Sequence, residues 1–261
     1  MRGLASFIDW NRRACGLIRR FLPQAREDLS NSYLEKVAEV MNGLPPGATV
    51  ADVGSGRSCP FARLRGSGHE VSIVGVDVSA DELELNRDVD ERRVADVVRG
   101  LPFGDGEVDC IVSRSVIEHL PDTERFVFES YRALKPGGWA IHLFPSRFAP
   151  FALINQLLPH RLARGVLHAL VPDSHGRLGF RAHYDRCYAS AMAAAHERAG
   201  FELVDLQVSY YQSEYFTFFL PAYALSVAYE LVPYSLRARN LAAYVLLVVR
   251  KPTTGAAALP S

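Results

Sequence analysis

Residues 49–58 constrain the fold of this chain more than any other stretch. The apolar segment Val50–Val53, which contains the acid Asp52, runs directly into the turn Gly54-Ser55-Gly56. Glycines allow backbone angles and close approaches that a side chain would prevent, so a ligand can lie against the main chain of such a turn. A glycine turn at the carboxyl end of a strand is typical of the nucleoside-binding half of a doubly wound sheet.

A second apolar segment supports this interpretation of the turn. Val71–Val76 follows about twenty residues later and also ends in an acid, Asp77. Further apolar segments alternate with helical patterns, which predicts a parallel sheet covered by helices on both faces. The predicted strands are 48–53, 71–76, a very short one at 94–95, 108–113, 138–144, 201–210 and 243–249.

Composition limits the classes of partner and the cellular setting. The 261 residues carry 29 basic and 29 acidic side chains, and this balance argues against a nucleic-acid partner. The four cysteines are widely spaced, so the sequence predicts no disulfide framework, no metal site and a reducing, cytoplasmic setting. The first residues have no continuous apolar run, and we expect no signal peptide there.

The chain divides into three predicted parts. Residues 1–44 form an N-terminal helical cover, 45–252 the α/β domain, and 253–261 a flexible tail. Several prolines interrupt residues 145–187, and two short apolar helices are predicted between them. We predict that this segment is a lid over the substrate. Residues 212–240 are a second, apolar insertion.

Six motifs in register resemble one family. They are Val50–Gly56, Asp77, Val94–Asp96 before Leu101–Phe103, Val108–Ser113, Ile117–Leu120 and Leu134–Trp139. Their order and spacing over residues 48–145 resemble the class I S-adenosylmethionine-dependent methyltransferases, in the small-molecule branch related to ubiquinone and menaquinone methyltransferases. The resemblance implies a Rossmann-like sheet of seven strands whose last strand is antiparallel.

The resemblance also implies which residues bind S-adenosylmethionine, whose product is S-adenosylhomocysteine. Asp77 would accept hydrogen bonds from both ribose hydroxyls, Asp96 would meet the adenine amino group, and Val78 and Val97 would pack near the ring. The implied cofactor-binding set is Asp52, Gly54, Ser55, Gly56, Asp77, Val78, Asp96, Val97, Ser113, Arg114 and His119. Ser58 stands where many members carry a third glycine, a position that governs helix packing more than contact.

Three histidines are candidate catalytic bases: His119, His175 and His183. A histidine with a pKa near neutrality can take a proton from a hydroxyl as the methyl group moves. The alternative is that His119 only shapes the pocket and that the other two are loop histidines facing water.

Two segments leave the question of a membrane open. A basic amphipathic helix at 4–22 can lie on an anionic membrane or can simply cover the domain. The aromatic stretch Tyr215–Tyr229, broken by Pro221, can contact a bilayer or a lipid-like substrate, or can form core or a homodimer interface.

The sequence therefore predicts a methyltransferase that acts at oxygen on a small biosynthetic molecule, such as a sugar of a glycan precursor or a secondary metabolite. Two alternatives from other classes are a non-catalytic protein that binds S-adenosylmethionine and a nicotinamide-dependent oxidoreductase. An oxidoreductase of that class should have a third glycine in the glycine turn and should lack Asp52, Asp96 and the turn Lys135–Gly138.

Overall fold

The central strands form because short apolar runs rich in valine and isoleucine have both faces covered by helices. The computed structural model describes residues 2–26, 29–66, 70–157 and 181–253. The strands are β1 (Thr49–Val53), β2 (Ser72–Asp77), β3 (Glu91–Val94), β4 (Val108–Arg114), β5 (Leu134–Pro145), β6 (Glu202–Ser209) and β7 (Tyr244–Arg250).

Helices flank this sheet. They are α1 (Arg2–Arg19), α2 (Leu29–Gly43), α3 (Ala80–Glu84), α4 (Thr123–Ala133), α5 (Pro150–Leu157), α6 (Ala189–Arg198) and α7 (Leu220–Ser235). Short 3-10 helices are Pro23–Arg26, Ala62–Leu64, Ile117–His119, Ser213–Phe216 and Arg239–Leu241. None of the helices in the described part of the chain is long and apolar enough to cross a membrane.

The seven strands lie in one sheet in the order β3-β2-β1-β4-β5-β7-β6. The first five are parallel to their neighbours, and β7 runs antiparallel between β5 and β6. Because β7 is reversed, its first residue, Tyr244, pairs with Pro145 at the carboxyl end of β5. The predicted fold class, with its antiparallel last strand, is confirmed.

Each face of the sheet has its own apolar core. On one face Tyr33, Val37 and Met41 of α2 pack against the sheet. On the other face Phe126 of α4 and Met192 of α6 are fully buried in a second cluster. Helix α1 contacts α7 instead of the sheet, through buried Cys15 and Leu22. The N-terminal segment thus packs on the apolar insertion that the sequence marked at 212–240.

Two local expectations differ from the structure, and a third is described only in part. Pro221 lies in the first turn of α7 and begins that helix, where its missing N–H costs nothing, instead of breaking it. Strand β5 starts at Leu134, so Lys135–Gly138 lie within a strand with an irregular register rather than in a turn before it. Of the two helices predicted within the lid, α5 is present. Residues 158–180, the rest of that lid with His175, lie outside the described residues.

Candidate functional site

The glycine turn after β1 is held by the neighbouring strand. The Gly54 and Ser55 amides both donate to the Val76 carbonyl, at 2.8 and 3.1 Å. Gly54 has a φ of +75°, and a Cβ atom there would lie 2.2 Å from Cγ2 of Val116. Both the backbone angle and the close contact exclude a side chain, so this position requires glycine.

Asp77 fixes the far side of the same turn. Its Oδ2 accepts a hydrogen bond from the Gly56 amide and its Oδ1 one from the Ser79 amide, each at 2.9 Å. Each carboxylate oxygen keeps a further lone pair for a ligand. A Cβ at Gly56 would meet nothing within 4 Å, and the neighbouring Val78 is 52% exposed. The turn therefore presents an acceptor pair and an apolar side chain beside open space.

Asp52 and Ser55 support the turn from within. Ser55 Oγ donates to Asp52 Oδ2 at 2.7 Å, and both residues are buried. Burial raises the pKa of Asp52 to about 6, against the lowering effect of the Ser55 hydrogen bond. The side-chain amide of Asn86 (Nδ2) donates to Ser55 Oγ at 2.9 Å and to the backbone carbonyls of Ser55 and Gly56 at 3.3 and 3.2 Å. The buried groups thus shape the loop.

The remaining predicted binding residues lie just after β3 and at the end of β4. Asp96 is exposed, and its Oδ1 accepts from the Val98 amide at 3.2 Å, while Val97 is buried. Ser113 is fully buried, and its Oγ shares a hydrogen bond with His142 Nδ1 at 2.8 Å. Arg114 is exposed and donates to Ser30 Oγ at 3.4 Å. The Ser113 hydroxyl is therefore directed to the core, whereas Asp96 and Arg114 reach solvent.

Two of the three candidate histidines, His119 and His183, lie next to each other. His119, in the 3-10 helix after β4, lies with its Nδ1 3.2 Å from the Arg181 carbonyl, and burial lowers its pKa. The His183 amide donates to the Glu118 carbonyl at 2.7 Å, which brings His183 next to His119. His175 lies outside the described residues.

Glu118 is an ionisable group at this edge that the sequence analysis missed. It is 5% exposed, and its Oε2 has no hydrogen-bond partner among the described residues. Burial raises the pKa of Glu118 to about 8. The available signal was an acid that lies directly after Val116 and Ile117 and close to Leu120. A carboxyl group that such neighbours bury without a partner stays neutral more readily.

Aromatic side chains from the second half of the chain lie near Glu118. The Tyr215 and Tyr244 hydroxyls form a short hydrogen bond, and burial raises the pKa of both phenols, with a smaller contribution in the same direction from Glu118. The Phe151 ring lies 4.9 Å from that of Tyr215 and 5.8 Å from that of Tyr244. These residues form an aromatic wall beside a free carboxyl oxygen.

Metal ligands do not cluster in the part of the chain that the structure describes. That the protein uses no metal stays a prediction. The chemistry available at the edge is hydrogen bonding, proton transfer and aromatic packing.

Residues 51–142 match the family described as "Methyltransferase domain". A protein described as "Uncharacterized methyltransferase" from Mycobacterium sp. (strain KMS) is 36% identical over 120 residues, which are 45% of this chain and 47% of that protein. The chain thus matches about half the length of this curated relative.

Two solved structures share the fold. Geranyl diphosphate C-methyltransferase from Streptomyces coelicolor A3(2), crystallised with Mg²⁺, geranyl diphosphate and S-adenosylhomocysteine, has a TM-score of 0.54 and 14% identity over 85% of this chain and 81% of that one. The [4+2]-cyclase SpnF has a TM-score of 0.52 and 20% identity over 85% and 80%. At these identities the likeness concerns the fold alone.

Proposed function

Because this chain contains a class I S-adenosylmethionine-dependent methyltransferase domain, we propose that it methylates a small-molecule acceptor. The observation that carries the proposal is the edge of the sheet where the glycine turn, the Asp77 carboxylate and exposed Val78 lie together. The relation to quinone methyltransferases stays a prediction.

The residues of the turn suit S-adenosylmethionine. Asp77 would accept from the two ribose hydroxyls with the lone pairs that its backbone donors leave free, and Val78 would pack on the adenine. A Cβ at Gly56 would stand in the open space above the turn, which is where the nucleoside would lie. When bound, S-adenosylmethionine supplies an electrophilic methyl group on a positively charged sulfur.

The proposed acceptor is a hydroxyl oxygen of a sugar precursor or an aromatic metabolite. Phe151, Tyr215 and Tyr244 offer flat apolar surface, and Glu118 offers a carboxyl oxygen without a partner. An ionised Glu118 would take the hydroxyl proton as the oxygen's electron pair becomes the new O–C bond, while the methyl–sulfur bond breaks and its electron pair leaves with S-adenosylhomocysteine. His119 and His183 stay candidates for the same task. Because the pKa of Glu118 is raised, proton removal by it would become more effective towards alkaline pH.

Replacing Asp77 tests the nucleoside site directly. In titration calorimetry with S-adenosylhomocysteine, we expect Asp77→Ala to bind at least about tenfold more weakly, because charge-assisted hydrogen bonds are lost. Asp81→Ala is the matched control, since Asp81 is an exposed acid in the first turn of α3 and should bind as the unmodified chain does. Unchanged affinity of the Asp77 variant would refute the assignment.

A second measurement separates an enzyme from a protein that only binds the nucleoside. Incubation with S-adenosylmethionine and a panel of sugar nucleotides and phenols should release S-adenosylhomocysteine, and Glu118→Gln should slow that release. Tight binding with no release for any hydroxyl compound in the panel would favour the binding protein.

A further inference from the structure

Helix α1 carries an apolar stripe that the rest of the described chain leaves uncovered. The stripe consists of Phe7, Trp10, Leu17, Ile18 and Phe21, whose exposed fractions are 48%, 60%, 61%, 38% and 86%. Positions 7, 10, 17 and 21 are three, seven and four residues apart, so they share one side of the helix, and Ile18 lies at the border of that side. The Phe21 amide donates to the Ile18 carbonyl at 3.0 Å, which continues the last turn.

The opposite edge of the helix is anchored, so the stripe keeps its orientation. Cys15 and Leu22 are buried against Tyr223 and Val227 of α7. The Asn11 side chain, which is also buried, accepts a hydrogen bond from the Leu220 amide at 2.8 Å. These contacts fix α1 by one edge and leave the stripe facing outward.

Positive charge borders the stripe. Arg12, Arg13 and Arg20 are exposed, and Asp9 is the one acid on α1. At 100° per residue, Arg13 and Arg20 lie along the edge of the stripe away from Cys15. Long basic side chains can extend to lipid headgroups while aromatic neighbours enter the acyl boundary.

We propose that α1 attaches the protein to the surface of an anionic bilayer, with the stripe in the headgroup region and the arginines on lipid phosphates. An anionic surface complements this face in both charge and hydropathy. A second copy of the chain would instead bring its own arginines against these. The proposal does not depend on methyl transfer.

Attachment through α1 would bring the aromatic wall near the lipid. Arg19 of α1 forms an ion pair with Glu214 at 3.0 Å and lies over the Tyr211 ring. Glu214 belongs to the 3-10 helix Ser213–Phe216, which also carries Tyr215. The 3-10 helix that α1 contacts thus also supplies Tyr215, one residue of the aromatic wall beside Glu118.

Vesicle flotation of the full chain tests the proposal. We expect binding to phosphatidylcholine vesicles that contain about one-third phosphatidylglycerol, weaker binding to phosphatidylcholine alone, and loss of binding as salt rises. The variant Trp10→Ser/Leu17→Ser/Phe21→Ser should bind at least tenfold more weakly. Arg13→Gln/Arg20→Gln should lose about fivefold per arginine.

A matched control lies on α7. Leu225 and Val232 are 74% and 58% exposed, so Leu225→Ser/Val232→Ser removes exposed apolar side chains from a helix other than α1 and should bind as the unmodified chain does. All the substituted side chains are exposed, so the variants should fold, as circular dichroism would verify. The proposal is overturned if the full chain fails to float with anionic vesicles, or if the α7 variant loses as much binding as the α1 variants. A dimer that only the α1 substitutions dissociate, without vesicle binding, would assign the stripe to a second copy.

Discussion

Asp77 and Glu118 are two carboxyl groups at one edge of the sheet, in opposite surroundings. Both Asp77 oxygens accept backbone hydrogen bonds, which hold the group as an acceptor. Glu118 is buried and has one oxygen without a partner in the described structure. Two acids in unlike environments can serve different tasks, one binding and one exchanging a proton.

Neutralising Glu118 should change how stability depends on pH. Its pKa is about 8 in the folded chain and about 4.3 in an unfolded one, so the folded state binds the proton more tightly between these values. Wild-type stability therefore loses up to about 1.4 kcal/mol per pH unit as pH rises through this window. We expect the free energy of unfolding of Glu118→Gln to improve relative to wild type from pH 5 to pH 8, measured by urea denaturation.

An exposed glutamate serves as the control for this change. Glu35→Gln removes a carboxylate from the surface of α2 and should follow the wild-type pH dependence. If Glu118→Gln and the wild type kept a constant difference across the range, Glu118 would not be neutral in the fold.

Local patterns predicted some of these residues and missed others for a physical reason. Asp77 was found because a strand-ending acid after a glycine turn is a local signal. Asn86 was missed because its partner, Ser55, lies 31 positions away and no periodicity links them. The environment of Glu118 likewise includes Tyr215 and Tyr244, which lie about one hundred positions or more further along the chain.

At the scale of elements, the β1 turn contains two glycines with different requirements. Gly54 has no room for a Cβ, whereas at Gly56 a Cβ would enter open space. Both have positive φ, so alanine costs about 1–2 kcal/mol of backbone strain at either position.

The two alanine variants should therefore separate folding from binding. Gly54→Ala should lose a further 1–3 kcal/mol, about the cost of overpacking against Val116. Gly56→Ala should stay folded but bind S-adenosylhomocysteine more weakly than wild type. Thermal unfolding and calorimetry on both variants check this, and the expectation is wrong if Gly56→Ala is the less stable of the two.

The sequence predicted the existence of the elements better than their ends. The sheet segments were visible because they are short and apolar. Strand β5 began four residues earlier than the predicted 138, because pairing between Leu134 and Val108 extends the strand past the glycines. Tertiary pairing thus overrode the local tendency of Pro136 and Gly137 to form a turn.

At the scale of the whole molecule, two buried histidines couple the sheet to its covering helix. The rings of His142 on β5 and His196 on α6 lie 5.4 Å apart, and neither Nε2 has a hydrogen-bond partner among the described residues. Burial lowers the pKa of His196 to about 4. Protonation would put a charge into the core between α6 and the sheet.

Acid should therefore destabilise the whole fold partly through His196. The unfolded chain binds this proton near pH 6.5 and the folded one near pH 4, so stability falls as pH drops through that window. From pH 7.5 to pH 5, His196→Phe should lose about 2 kcal/mol less than wild type in chemical denaturation. His183→Phe, at an exposed position, should behave as wild type. Equal losses in wild type and His196→Phe would contradict the expectation.

The edge of the sheet that carries the candidate site is built from two distant parts of the sequence. The glycine turn and Asp77 come from the first third of the chain, whereas Tyr215 and Tyr244 come from its last fifth. Tyr244 reaches the same edge because β7 runs backwards, and there its hydroxyl meets that of Tyr215. Recombination or mutation in that late segment can change Tyr215 and Tyr244 of the aromatic wall without changing the glycine turn or Asp77. The proposed nucleoside site can therefore be kept while the acceptor side of the same edge changes.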